Sequence, residues 1–147
     1  MLKKTALVAL LALLTGCANT YNIQTYGPID LSNKTVTVPF GSGGLKGKLK
    51  QSLANNGWKL MSDKGPSVTE GTMGEKTRIE HYDTFNSRYR LIVSSQQFDL
   101  CLLTQSPAIN FDVSFIDNKS GAEVFTIGGT GCESIVVDKF MNLLRGQ

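Results

Sequence analysis

The strongest structural signal in the chain lies in residues 109–115, which read INFDVSF. Because successive side chains of a strand point to opposite faces of a sheet, this strict alternation predicts a strand with one buried face. The turn-forming residues 117–121 (DNKSG) and the apolar run from Val124 to Ile127 extend the prediction to an antiparallel hairpin. The predicted buried positions of its first arm are Ile109, Phe111, Val113 and Phe115.

A strand–helix–strand unit is predicted upstream of the hairpin, over residues 34–61. Residues 34–40 (KTVTVPF) alternate and predict a strand, and residues 58–61 (WKLM) predict another. Between them leucines recur every four residues, which predicts a helix with one buried side. Ser42 is its candidate N-cap and Gly57 its stop signal.

Further extended stretches and a second helix complete the pattern. Residues 76–82 alternate, and the longer stretch 88–103 changes phase at its polar middle, residues 94–97, which predicts a bulge or bend. Residues 62–74 are typical of a loop, with or without a weak strand, and Ser134 is positioned to cap a last helix. The sum predicts an α+β fold, an antiparallel sheet of about five to six strands with two helices packed on one face.

The first 17 residues, MLKKTALVALLALLTGC, have the form of a secretory signal. Their apolar run is too short to span a bilayer as a permanent helix. The last four, LTGC, resemble the lipobox of bacterial lipoproteins, in which the cysteine is lipidated and the preceding peptide is removed. The resemblance implies a lipid on Cys17, and Ala18 after it implies sorting to the outer membrane, with the domain facing the periplasm. The alternative is an ordinary signal peptide with a chance cysteine.

Cleavage of the signal peptide, residues 1–16, leaves a chain of one domain's length. Residues 17–33 are predicted to be the lipidated cysteine and a tether, because this segment is polar and rich in turn formers. Its apolar residues Tyr21, Ile23 and Tyr26 leave open the alternative that part of the segment lies across the domain. Residues 34–147 are predicted to form a single periplasmic domain. Loss of the two leader lysines brings the formal charge of +3 close to neutrality, so the mature chain has no basic stripe for nucleic acid.

The cysteines support an exported protein. With Cys17 lipidated, Cys101 and Cys132 remain as an even pair in an oxidising compartment, which predicts a disulfide. Two unrelated buried thiols are the alternative. A zinc site is less favoured because His81 is the only histidine in the sequence, and we predict neither a metal nor a cofactor.

Three short segments also resemble a known group of periplasmic domains. Residues 111–117 (FDVSFID) with 120–125 (SGAEVF) look like a strand–turn–strand segment of TolB amino-terminal-like domains, and residues 36–40 (VTVPF) look like their opening segment. These domains occur in the curli-secretion lipoprotein and in lipoprotein activators of penicillin-binding proteins. The resemblance implies an accessory role at the outer membrane. The long hairpins of the curli channel are missing here and the activators' contact residues have no match, so no partner is implied.

A glycine-rich loop is the candidate binding surface. The sequence GSGG at 41–44 lies between a predicted strand and a predicted helix, where backbone amides are able to bind anions. The Gly-Lys-Ser/Thr ending of a phosphate loop is missing, which favours a plain flexible turn. Loops on a rigid sheet commonly carry recognition, so we predict binding here and in residues 62–74. The nominated residues are Ser42, Gly43, Lys46, Lys48 and Lys50.

Catalytic candidates are few. His81 is flanked by Glu80 and Asp83, carboxylates that are able to orient an imidazole, but no nucleophile motif accompanies them. Asp99 and Asp112 occur in similar contexts, as partners on neighbouring strands would, and a glycosidase would need such carboxylates about 5–9.5 Å apart. Surface positions explain all of these residues more simply, and we predict no enzyme.

The function predicted from the sequence is therefore that of an outer-membrane-anchored, non-catalytic lipoprotein. It would bind an envelope protein or a cell-wall component through its α+β domain. The alternatives are an accessory lipoprotein of a secretion or surface-assembly machine and, less favoured, a periplasmic hydrolase. The pattern leaves the oligomeric state and the identity of the partner open.

Overall fold

Eight strands and two helices follow one another in the part of the chain that the structure, a computed structural model, describes: residues 19–63, 66–73, 75–82 and 86–146. The predicted signal peptide and Cys17 lie outside these residues. In chain order the elements are β1 (Thr20–Thr25), β2 (Thr35–Val38), α1 (Gly44–Asn55), β3 (Lys59–Ser62), β4 (Pro66–Met73), β5 (Glu75–Tyr82), β6 (Tyr89–Cys101), β7 (Ser106–Asp117), β8 (Glu123–Cys132) and α2 (Glu133–Leu144).

Six of the strands form one sheet in the order β1-β8-β7-β6-β2-β3, and β4 pairs with β5 in a separate two-stranded sheet. The pairs β1–β8, β8–β7 and β7–β6 are antiparallel, whereas β2 runs parallel to both β6 and β3. The prediction of an antiparallel sheet is therefore wrong, and the sheet is mixed. The reason is the β2–α1–β3 unit, because a helix between two neighbouring strands returns the chain to the starting end and makes the second strand parallel to the first.

The predicted bulge in the long strand β6 is confirmed. The pairing of β6 with β7 shifts register between Gln97 and Asp99. Residues 62–74, for which a loop was the first interpretation, contain the backbone of β4, which extends well beyond the weak strand considered as the alternative.

The alternating residues of β7 are the centre of the hydrophobic core, as predicted. Phe115 is fully buried, with its ring centroid 4.9 Å from that of Tyr89 and 5.3 Å from that of Phe125. The two helices contact one another and cover this face of the sheet. Their buried apolar residues are Leu45, Leu49, Leu53, Val136, Phe140, Met141 and Leu144.

Neither serine predicted to cap a helix does so. The N-caps are Gly43 and Cys132, both in extended conformation and without a side-chain capping bond. At α2 the reason is that β8 runs directly into the helix and leaves no loop in which Ser134 could cap. Neither helix of the described residues has the length and apolarity needed to cross a membrane.

The segment predicted as a tether, residues 17–33, contains a strand of the sheet. Thr20 to Thr25 pair residue for residue with β8, from Thr130 to Phe125. The prediction of a tether is therefore wrong for these six residues. The strand was not recognisable in the sequence because only a few of its side chains point toward the core, too few to give a clear alternating pattern. Even Ile23, one of these inward residues, is 40% exposed because β1 lies at the edge of the sheet.

Candidate functional site

Four side chains from four strands lie in a row across one end of the antiparallel part of the sheet. Thr20 is paired with Thr130, Thr130 with Asn110, and Asn110 with Gln96. The chain enters the sheet at this row through β1. The hairpin formed by β6 and β7 continues past it, because β6 extends five residues further to Cys101, roughly 16 Å of strand.

The end of that hairpin, residues 98–103, carries exposed apolar side chains, and we call it the hairpin tip. The exposed fractions are 54% for Phe98, 53% for Leu100, 86% for Leu102 and 102% for Leu103. The sequence pattern does not indicate this exposure, because Phe98, Leu100 and Leu102 alternate in the way that a buried face would. The adjacent pair Leu102-Leu103 is the one signal that departs from that pattern.

The predicted disulfide is confirmed, and it braces this tip. Cys101 is bonded to Cys132, with 5.9 Å between their Cα atoms. Cys132 is the last residue of β8 and immediately precedes α2. The bond therefore joins the end of the projecting hairpin to the layer of helices.

The glycine-rich loop is held by one of the lysines nominated for binding. The Lys50 Nζ atom donates hydrogen bonds to the backbone oxygens of Pro39 (3.3 Å) and Gly41 (2.9 Å). Lys46 is partly buried against the same loop, and Lys48 is exposed. The loop therefore brings Lys46 and Lys50 together, but the ammonium group of Lys50 already serves to close the loop.

A carboxylate already lies where an anion would approach this loop. Glu133 is 5% exposed and occupies the first turn of α2. A Cβ atom placed on Gly44 would lie 3.8 Å from the Glu133 Oε2 atom. Because the positive ends of both helix dipoles lie at this point, the arrangement stabilises Glu133 and opposes a bound phosphate. A cavity of about 510 Å³ beside it is lined by Gly43, Lys46, Ser95 and Glu133 among others.

The face of the sheet opposite the helices is polar, and no helix or strand of the described residues packs on it. In three successive rows, the strands β1, β8, β7 and β6 present residues that share this face, because residues paired across strands point to the same side. The rows are Thr20, Thr130, Asn110 and Gln96; Asn22, Gly128, Asp112 and Ser94; and Gln24, Thr126, Ser114 and Ile92. We call these twelve positions the polar face. A shallow cavity of about 530 Å³ lies on it over Gly128 and Asp112.

The residues considered for catalysis are not assembled by the part of the structure that is described. Asp99 is paired with Ala108, whereas Asp112 lies four residues further along β7, a separation of about 13 Å. The two carboxylates therefore lie on neighbouring strands, as their contexts predict, but they are not paired with each other. The backbone of His81, in β5, is paired with that of Ser67 in β4. The side chain of His81 and the whole of Asp83 lie outside the described set. No group of three or more metal-ligating side chains occurs among the described residues.

Among the described residues, two titratable groups have perturbed pKa values, and neither belongs to a catalytic arrangement. The Ser32 hydroxyl and backbone amide donate hydrogen bonds to Asp30, which lowers the pKa of this exposed carboxyl. Burial raises the pKa of the Tyr21 hydroxyl. That hydroxyl has no hydrogen-bond partner within the described ranges.

Comparison with known proteins assigns no family. No model of a protein family and no curated protein matches the chain. Among solved structures, the chain is similar to a PelC dodecamer from Paraburkholderia phytofirmans (17% identity, 78% of this chain and 83% of that one, TM-score 0.48). It is also similar to a single-residue variant of that protein in another crystal form (14% identity, 82% and 90%, TM-score 0.48). A likeness at this level assigns neither an activity nor a partner.

Proposed function

We propose that this chain is an outer-membrane-anchored lipoprotein, facing the periplasm, and that its domain is a non-catalytic binding or assembly accessory. Its partner would be an envelope protein or a cell-wall component, bound on the polar face of the sheet. The anchor follows from the lipobox resemblance at Cys17. The composition of the polar face is the observation that carries the binding role.

The polar face differs from an ordinary solvated surface in its lack of charge. Of its twelve positions, Asp112 is the only one that carries a charge. Exposed surfaces are usually rich in Lys and Glu, and the buried centres of protein interfaces are depleted of them. Ser, Thr and Asn side chains are short, so a partner that binds them immobilises little side-chain entropy.

The position of the polar face also suits a protein held at a membrane. Its first row begins at Thr20, only three residues after Cys17, so the face begins close to the predicted anchor. No helix of the described chain covers it. An accessory of a secretion or surface-assembly machine would use the same face, and it differs from the leading proposal only in the identity of the partner.

Site-specific photo-crosslinking in intact cells tests the proposal. A benzophenone amino acid at Asn110, in the first row of the polar face, should give a discrete adduct that mass spectrometry identifies. The same amino acid at Asn142, which is exposed on α2, is the matched control and should give none. Equal adduct patterns from the two positions would contradict a partner on the polar face. Turnover of peptidoglycan or a glycan by the purified protein would favour the hydrolase instead.

A further inference from the structure

We propose that the hairpin tip, Phe98 to Leu103, inserts into the lipid bilayer beside the anchor. The tip would be a second, protein-based membrane contact that fixes how the domain stands on the membrane. The inference rests on the proposed function in one respect, which is the lipid on Cys17.

The concentration of exposed apolar surface at the tip is the first observation. The side chains of Leu102 and Leu103 are almost completely exposed, and Phe98 and Leu100 are exposed by about half. Single apolar residues on a protein surface are ordinary, but a contiguous apolar patch marks a contact with a membrane or a partner. The tip carries four such side chains within six consecutive residues.

The position of the tip relative to the anchor identifies the membrane as its occupant. Thr20 lies in the same cross-strand row as Gln96, from which β6 runs on to the tip. Cys17 precedes Thr20 by three residues, which span at most about 11 Å in any conformation. The acyl chains on Cys17 therefore enter the bilayer near the end of the sheet from which the tip projects. Leu31 lies near the other end, after Asp30, whose amide donates a hydrogen bond to Tyr89 at the start of β6.

The tip is built as a braced projection with a polar base. The disulfide from Cys101 to Cys132 holds its last strand residue against the start of α2. Immediately after the two leucines in the chain, the Thr104 hydroxyl lies 2.8 Å from that of Ser106, which in turn lies 3.2 Å from that of Ser134. Apolar side chains with three hydroxyl groups next to them match an interface whose interior is apolar and whose headgroup region is polar.

One acidic residue lies within the tip. Asp99 is exposed, and its carboxylate accepts a hydrogen bond of 2.8 Å from the backbone amide of Leu100. It precedes the most exposed pair, Leu102 and Leu103, by three residues. We therefore assign the insertion to the two leucines and a position at the level of the headgroups to Asp99.

Tryptophan quenching by brominated lipid tests the proposal on the full-length lipoprotein. Leu103→Trp and the control Leu31→Trp each replace an exposed leucine, and the native Trp58 is 5% exposed and supplies a constant background. The proteins are reconstituted into vesicles of phosphatidylethanolamine and phosphatidylglycerol with brominated acyl chains. Interfacial side chains enter about 5–10 Å into the boundary with the acyl chains, so we expect quenching at 103 to exceed that at 31 by at least about threefold.

Equal quenching of the two variants would overturn the proposal. So would a photo-crosslink from position 103 to a protein in cells, without one to lipid, because the tip would then be a protein-binding surface. Palmitate labelling of the same preparations reads the anchor separately. If the protein is not labelled, the proposed lipid anchor is refuted. The unlabelled protein can then be added to the same vesicles at high lipid concentration. The ratio of quenching at positions 103 and 31 would still decide whether the tip enters the bilayer.

Discussion

Tyr21 combines a packed ring with an unsatisfied hydroxyl. Its ring centroid lies 6.1 Å from that of Phe111, and the Lys139 Nζ atom lies 4.7 Å from it on the ring face. The hydroxyl is buried and has no hydrogen-bond partner within the described part of the chain. Such a group lowers stability by its desolvation, whereas the ring contributes packing and a cation–π contact. The side chain is therefore retained for its ring.

At neutral pH the free energy of unfolding of Tyr21→Phe should equal that of the parent or exceed it by up to about 1 kcal/mol, because the substitution removes the unsatisfied hydroxyl. The pKa of Tyr21 is raised in the folded state, so its contribution to stability is present below the ordinary value of about 10 and is lost as the pH rises through the folded value. Urea unfolding at pH 7 and above pH 10 checks both statements, and the variant should lose less stability at high pH than the parent.

The control for this experiment is Tyr26→Phe, which removes the hydroxyl of a tyrosine that is 56% exposed. Removal of this exposed hydroxyl should change the free energy of unfolding at pH 7 by no more than about 0.5 kcal/mol, as is usual for surface substitutions. If Tyr21→Phe and the parent lose the same unfolding free energy between pH 7 and pH values above 10, the prediction that ionisation of Tyr21 destabilises the folded state is wrong.

Strand β1 is held against β8 by a close backbone approach. Gly129 has φ of +134°, and a Cβ atom placed on it would lie 2.0 Å from the Thr20 backbone oxygen. A residue with a side chain is excluded from that position both by its conformation and by the neighbouring strand. The absence of a side chain at Gly129 therefore allows β1 to pair with β8 at this position.

The substitution Gly129→Ala should lower the free energy of unfolding by at least about 2 kcal/mol, because strain in φ and displacement of β1 add. Gly121→Ala is the matched control, since Gly121 also has a positive φ (+72°) but nothing within 4 Å of its added Cβ. Its loss should be about 1 kcal/mol. Urea unfolding measures both values, and faster hydrogen exchange of Thr20–Thr25 amides in Gly129→Ala would report the displacement. Equal losses would refute the role of the close approach.

The disulfide is the covalent link between the projecting hairpin and the helices. It joins residues separated by 31 positions, and a loop of that length is worth about 3.5–4 kcal/mol in the chain-entropy description. For a domain whose total stability is typically about 5–15 kcal/mol, this is a large share.

The double variant Cys101→Ser/Cys132→Ser should therefore lose about 3.5–4 kcal/mol of unfolding free energy. Reduction of the parent should produce the same loss, and the reductant should have no further effect on the double variant. Denaturant unfolding with and without reductant measures this. A parent whose urea midpoint is insensitive to reductant would show that the bond adds nothing to stability.

At the scale of the whole molecule, the sheet and its helices form one layered body that begins three residues after the predicted lipidation site. The polar face and the hairpin tip are different surfaces of this body. In our proposals the tip contacts the membrane, and the polar face remains accessible to a partner. An anchor joined so closely to a strand restricts the distance between domain and bilayer far more than a flexible tether of 17 residues would.

Attachment through Cys17 is the prediction at this scale. Metabolic labelling with palmitate should mark the parent and leave Cys17→Ser unmarked, because the lipid is added to the thiol. The parent should fractionate with the outer membrane. If Cys17→Ser is processed and fractionates like the parent, the lipid anchor and the outer-membrane location inferred from the signal peptide are wrong.

Much of the architecture could be predicted from local pattern. The β7–β8 hairpin, the leucine face of α1, the bulge in β6 and the pairing of Cys101 with Cys132 all follow from alternation, helical spacing, a change of phase or the number of cysteines. Each depends on residues that are close in sequence or on a count. The nominated binding residues remain predictions, although the structure shows that Lys50 closes the loop beside them.

By itself the sequence determined the hydrophobic face of the sheet, both helices and the cysteine pair, because side-chain periodicity reports burial directly. Only the tertiary structure decided the parallel pairing of β2, the place of β1 in the sheet and the exposure of the hairpin tip. Strand direction depends on how a connection crosses the sheet, and edge pairing depends on a partner distant in the chain. Alternating leucines carry the same pattern whether a neighbour covers them or not, and in the tip no neighbour among the described residues does.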